Sequence, residues 1–320
     1  MNKNNMDLQK SHLTILTAGS TYLDIDAYAC CIAMAELLTL QNYPAIAYSK
    51  APSNYSVCCS LITKAQIADV LPPEISPETA TYIIVDVSEP DFLKDSVPLD
   101  RVTAVYDHHT GFEDYWQSRI GENAHIEFLG AAATLIYREW KKAGLQDRMS
   151  RSTALLLVAA ILDNTLNLTS SNTTSEDVET FRELCRKENI GEDWCASYFT
   201  EVQANVEADL QNALLNDTKT VRNNNILPPR VSQITVWNVQ SILEQLPEIR
   251  QWFGVTESWM INIIDIRHRC SYFVCDDKSY QQKIGRVFDI QFMNDVAKTP
   301  VSYLRKEIIK RTQDYLKTLE

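Results

Sequence analysis

The chain of 320 residues and 36.5 kDa carries 30 Lys and Arg against 42 Asp and Glu, a formal net charge of −12 and a pI near 5.0. Its 45% hydrophobic and 22% charged residues are average globular usage, which excludes a disordered chain, a collagen-like repeat and a long coiled coil. The acidic balance argues against a broad nucleic-acid or anionic-membrane surface, so an anionic ligand has to be held locally, by a metal or a small basic cluster.

No stretch approaches the roughly 18 to 20 consecutive apolar residues of a spanning helix, and the opening MNKNNMDLQKSH lacks the apolar run of a signal peptide. LTILTAG at 13–19 has the length and β-branching of a buried strand. Asp24-Ile25-Asp26 follows it, at the turn into the helical pattern AYACCIAMAELLTLQ. Strand alternation would set both carboxylates at one edge with Ile25 toward the core, and the plainer use of Asp26 is as a helix N-cap. Cys30-Cys31 and Cys58-Cys59 are adjacent pairs among eight cysteines, with no CxxC spacing, and read as reduced core-filling thiols of a cytosolic protein. YIIVDVSE at 82–89 and RVTAVYDHH at 101–109 give two further strands, which end at Asp86 and Asp107.

GAAATLIYREWKKAG and RSTALLLVAAILDNTLNL are helical patterns, the second with Asp163 near its end. From Thr174 to Leu215 the chain is polar and helical in character, and the domain connection is placed near 186–200, giving domains over 1–190 and 200–320. RVSQITVWNV, WMINIIDI, RCSYFVCDD and the terminal YLRKEIIKRTQDYLKTL then read as a small mixed α+β domain. There are only 8 glycines and neither GxGxxG nor GxxxxGK[ST] occurs, so Rossmann dinucleotide binding and a P-loop are excluded.

Strands alternating with helices imply a parallel sheet, hence an α/β first domain, and ligands of such sheets bind at the carboxyl edge where these acids fall. Asp107-His108-His109 is the strongest feature, in a chain with only five histidines. Carboxylate and imidazole without thiolate suit Mn²⁺, Mg²⁺ or Co²⁺ better than a structural zinc. Asp163, at the end of an apolar helix, is costly if buried alone. A divalent-metal cluster shared with Asp24, Asp26 and Asp86 would give it a partner.

These motifs resemble the DHH phosphoesterases, specifically the branch with a DHHA2 C-terminal domain: manganese-dependent (family II) inorganic pyrophosphatases, with exopolyphosphatase and prune-type relatives. The matching segments are Gly19-Ser20-Thr21-Tyr22-Leu23-Asp24-Ile25-Asp26, Asp86, Asp107 to His109 with Gly130-Ala131-Ala132-Ala133-Thr134, Ile161-Leu162-Asp163-Asn164-Thr165, Asp217-Thr218-Lys219, and loosely Tyr303-Leu304-Arg305-Lys306. The resemblance implies a parallel-sheet DHH domain with helices on both faces, a smaller mixed α+β DHHA2 domain, and hydrolysis of a phosphoanhydride. Pyrophosphate is the first substrate, with short or long polyphosphate as an alternative and a degenerate protein that binds metal or phosphate without turnover as another. It implies that Asp24, Asp26, Asp86, His108 and Asp163 bind two divalent ions, Mn²⁺ favoured over Co²⁺ or Mg²⁺, with Asp86 bridging them. It also implies that His109, Lys219, Arg305 and Lys306 grip phosphate oxygens, and that the protein is a cytoplasmic homodimer acting on a small phosphate, with no nucleic-acid or membrane partner. The basic residues at 305–306 have a plainer use as a solvated helix face. Two departures stand out: Ser20 occupies the place of a metal-binding histidine in the pyrophosphatases, and Leu304 that of an arginine.

Overall fold

The computed structural model describes residues 13–19, 23–57, 59–62, 67–73, 75–254 and 256–318. The chain divides into two compact units, Met1–Cys195 and Ala196–Glu320.

The first unit is built on a five-stranded, wholly parallel sheet of β1 (Thr14–Thr17), β2 (Ala45–Ala47), β3 (Thr81–Val85), β4 (Val102–Asp107) and β5 (Ala124–Ile126), in the order β2-β1-β3-β4-β5. The chain moves from β1 out to β2 and then returns past β1 to β3. The winding direction therefore reverses between β1 and β3, which opens a crevice at their carboxyl ends. Asp24 follows one of these strands and Asp86 the other. Ile15, Ile84, Val105 and Trp116, all without solvent exposure, fill the core on this sheet.

The reading of Asp24-Ile25-Asp26 as an extended segment is corrected here. A helix starts at Ile25 and runs to Leu40, and the N-cap is Asp24, whose carboxylate accepts the Ala27 N–H at 2.9 Å. Asp26 sits in the first turn and is completely buried. This helix packs against Arg151–Asn164, a helix buried along most of its length. That double burial explains why both segments read as apolar on nearly every side.

The second unit carries a mixed sheet, β10-β9-β8-β7-β6, of β6 (Thr218–Thr220), β7 (Arg230–Val236), β8 (Trp259–Asp265), β9 (Cys270–Cys275) and β10 (Val296–Lys298). β7 and β8 run parallel, and the other pairs are antiparallel. Every residue of β8 is buried, as its sequence WMINIID suggests for a central strand. Met260, Phe273, Ile284, Phe288 and Ile308 form the core between this sheet and its helices. Among the described residues no helix is long and apolar enough to cross a membrane.

Candidate metal centre

β3 stops at Val85 because Asp86 adopts a left-handed backbone, φ +58°, which aspartate tolerates better than most side chains. Its N–H still donates to the Tyr106 carbonyl at 2.8 Å, so the strand end stays fixed while the side chain is re-aimed. Asp86 Oδ1 then lies 3.3 Å from His108 Nε2 and 4.0 Å from His109 Nδ1.

His108 follows the last residue of β4. Its Nδ1 is 3.0 Å from the Leu129 carbonyl oxygen, which can only accept, so Nδ1 carries the proton and Nε2 presents a lone pair. His108 Nε2 and Asp86 Oδ1 are both buried, and neither has a hydrogen-bond partner among the described residues. Their mutual approach is not aligned as a hydrogen bond. Two buried electron-pair donors facing one another are a costly arrangement that a cation between them would relieve.

Asp26 lies on the other side of this pair, with Oδ2 at 3.9 Å from His108 Nε2. The first N–H groups of helix Ala132–Lys142, those of Ala132 and Ala133, donate to its two oxygens at 2.8 Å each, in the manner of an anion at a helix N-terminus. Oδ2 keeps a further lone pair. Burial raises the Asp26 pKa, His108 opposes that, and Asp24 adds to it. Burial also pushes Asp86 well above the ordinary carboxylate value, with the charges of Asp26 and Asp24 adding to it. Two buried carboxylates that resist joint ionisation are short of positive charge.

His109 is oriented by Asp107. The fully buried carboxylate accepts from the His109 ring Nδ1 at 2.9 Å and from its backbone N–H at 3.0 Å. Burial alone would push Asp107 up, but the hydrogen bond and charge of the His109 ring outweigh it and hold the carboxyl below its usual value. Burial works against the charged imidazole too, yet the Asp107 bond and the Asp86 charge raise the His109 pKa overall. With Nδ1 engaged and more than half of the side chain exposed, Nε2 is the atom of His109 left for a ligand.

Asp86, His108 and His109 together offer three ligand atoms within 4.8 Å of one another. The set is oxygen and imidazole nitrogen, and His108 has the outer-shell carbonyl that metal-binding histidines need. The Cys30 thiol donates to Asp26 Oδ1 at 3.4 Å, and its burial keeps it protonated. The residues present therefore fit a divalent ion of the Mn²⁺, Mg²⁺ or Co²⁺ type.

The structure thus gathers Asp26, Asp86, His108 and His109, with Asp24 close enough for its charge to act on two of them. Asp163 stands half-buried in the last turn of the helix that packs on Asp26's helix. Just beyond it, Leu166, Asn167 and Leu168 are consecutively left-handed, φ 49°, 59° and 61°. Such a run costs about 1 to 2 kcal/mol per residue, and it is pinned by Asn167 N–H to the Leu162 carbonyl at 2.8 Å and Leu168 N–H to Thr165 Oγ1 at 3.0 Å.

In the second unit Lys219 and Lys306 are exposed. Arg305 is not part of a solvated helix face, and that expectation is corrected. It is 8% exposed, and its guanidinium donates to Asp217 Oδ1 at 2.7 Å and to the carbonyl oxygens of Asp217 and Val231. It ties the start of helix Arg305–Lys317 to β6 and β7. Ser20 lies outside the described residues. Asp107 and Ala132 and Ala133 fall within the motif segments, but nothing in the sequence marked the Leu129 carbonyl or the use of the Ala132 and Ala133 amides. Only the position of Asp107 two residues before His109 signalled it as an orienting group.

No protein-family model matches the chain. A probable manganese-dependent inorganic pyrophosphatase of Lactobacillus helveticus is 24% identical over 225 residues, 69% of this chain and 70% of that protein. The crystal structure of a candidate family II inorganic pyrophosphatase from Methanococcus jannaschii superposes with a TM-score of 0.61 at 18% identity, covering 94% of this chain and 99% of the other. An exopolyphosphatase-related protein from Bacteroides fragilis superposes with a TM-score of 0.52 at 12% identity, over 98% and 95%. In its fold and in the motifs that fall at the sheet edge, this chain resembles the DHH/DHHA2 phosphoesterases, the manganese-dependent pyrophosphatases foremost.

Proposed function

We propose that the protein is a metal-dependent hydrolase of phosphoanhydride bonds, with cleavage of pyrophosphate to two phosphates as its reaction and Mn²⁺ as its preferred ion. The observation that carries the proposal is the buried pair of Asp86 Oδ1 and His108 Nε2, 3.3 Å apart and each without a hydrogen-bond partner among the described residues. A divalent ion held there by Asp86 and His108, with Asp26, Asp24 and Asp163 as further carboxylates, would acidify water and neutralise phosphate oxygens.

The chain's own groups do the rest. Water adding across a P–O–P bridge must lose a proton, and the departing phosphate must gain one. His109, with Nδ1 fixed by Asp107, is placed to move that proton at Nε2. Lys219 and Lys306 are the exposed cations assigned to phosphate oxygens.

Polyphosphate is the second reading. Ser20, standing where the resembling pyrophosphatases have a histidine, favours it. The test is phosphate release by chelator-stripped protein with Mn²⁺, Co²⁺ or Mg²⁺ restored, against pyrophosphate, tripolyphosphate and long-chain polyphosphate in parallel. Metal-dependent release, fastest from pyrophosphate, is expected. Preference for the longer chains would select the second reading, and no release from any of the three would overturn both.

A further inference from the structure

We infer that Asp177, which contacts none of the candidate ligands, is a positioning residue of the metal centre that acts through the backbone strap Leu129–Thr134. The inference rests on that centre being a cation site.

The strap touches the centre twice. The Leu129 carbonyl fixes the His108 ring, and the Ala132 and Ala133 amides hold Asp26. The strap is itself held by Asp177, a carboxylate with no solvent exposure that lies in the first turn of helix Ser175–Glu188. Its Oδ2 accepts the Gly130 N–H at 2.8 Å, and its Oδ1 accepts the Thr134 hydroxyl at 2.6 Å. The same Oδ2 closes a capping box by accepting the Thr174 N–H and hydroxyl at 2.8 and 2.7 Å. An ordinary capping box needs none of the bonds to Gly130 and Thr134. Asn172, also buried, donates to the Gly130 carbonyl at 3.4 Å.

Gly130 shows how tightly the strap is seated. A Cβ there would lie 2.6 Å from Thr165 Cγ2 and 2.7 Å from Asp177 Oδ2, so only glycine lets the backbone approach this closely. Thr165 belongs to the turn that follows Asp163. The strap is thus gripped between Asp177 and the Asp163 turn, and it delivers that position to His108 and Asp26. Outer-shell groups of this kind change metal affinity by about 10- to 100-fold when lost.

The test uses the full chain with Asp177→Asn, Thr134→Val and Thr134→Ser, each checked for fold by circular dichroism. The first readout is the ¹⁵N spectrum of the histidine rings in metal-free protein. Wild type and Thr134→Ser are expected to show His108 protonated at Nδ1, and Asp177→Asn and Thr134→Val to show a tautomer mixture. The second is Mn²⁺ affinity by titration calorimetry, weakened at least about tenfold in those two and near wild type in Thr134→Ser. A merely structural role would lower the melting temperature without moving the tautomer. Folded Asp177→Asn or Thr134→Val with wild-type tautomer and wild-type affinity overturns the inference, and the Thr134 pair decides it if Asp177→Asn does not fold. Failure of the wild type to bind Mn²⁺ overturns the proposed function instead, and the tautomer measurement still decides the role of the strap.

Discussion

Each unit holds a buried aspartate at the carboxyl end of a strand with a histidine against it, and the two pairs are wired differently. In the second unit Asp265, the last residue of β8, accepts from the His268 N–H at 2.9 Å, from the His268 ring Nδ1 at 2.9 to 3.0 Å, and from the Val239 N–H at 3.2 Å. Its charge is fully used in closing a turn. In the first unit Asp86 and His108 meet at 3.3 Å with an orphaned acceptor on each. A buried Asp–His pair is therefore not in itself a metal site. What separates the two is the unmet demand for positive charge, which falls where the sheet reverses its winding and the carboxylates accumulate.

The comparison breaks most sharply on turnover. Asp86→Asn, His108→Ala and Asp163→Ala should each abolish metal-dependent phosphate release while far-UV circular dichroism stays native. Asp265→Asn should leave release unchanged.

Stability is expected to move the other way. Raised pKa values mean that Asp86 and Asp26 destabilise the metal-free fold wherever they are ionised, and that the penalty fades as pH falls from their raised values toward 3.8. Asp86→Asn should therefore melt higher than wild type in chelator at neutral pH, and the difference should shrink on acidification through that window. Thermal melts across pH in chelator check the sign. Asp265→Asn, which loses hydrogen bonds to a charged acceptor, should melt lower.

Arg305→Lys sharpens the contrast between a closed ion pair and an open site. Losing the fork that spans Asp217 and two carbonyls should cost about 1 to 2 kcal/mol in denaturant unfolding and leave Mn²⁺ binding untouched. The smallest effect expected is from Lys219→Ala: a rise in KM for pyrophosphate of about threefold to tenfold with kcat nearly kept, in steady-state assays.

The sequence made the first unit legible where a pattern had room to repeat. The strands ending at Thr17, Val85 and Asp107 and the helices around Cys30, Leu135 and Leu157 were all readable. β2 and β5 were not, because three residues cannot show a period. The acids and histidines of the centre were visible because the chemistry needs those side chains. The groups that aim them were not, since a carbonyl at Leu129 and amides at Ala132 and Ala133 leave no mark on side-chain identity. Asp177 was hidden in text that read only as polar helix, although Thr174 three residues before it is the signature of a capping box. Arg305 was misplaced because a basic residue in an amphipathic pattern is usually solvated, whereas position one of its helix turns it inward to Asp217.

The measurement that tests the central claim most directly is calorimetric titration of Mn²⁺ into chelator-stripped wild type, Asp86→Asn and Asp265→Asn. Saturable binding by wild type and Asp265→Asn, lost in Asp86→Asn, is the predicted result. No binding by wild type, or equal binding by all three, would contradict it.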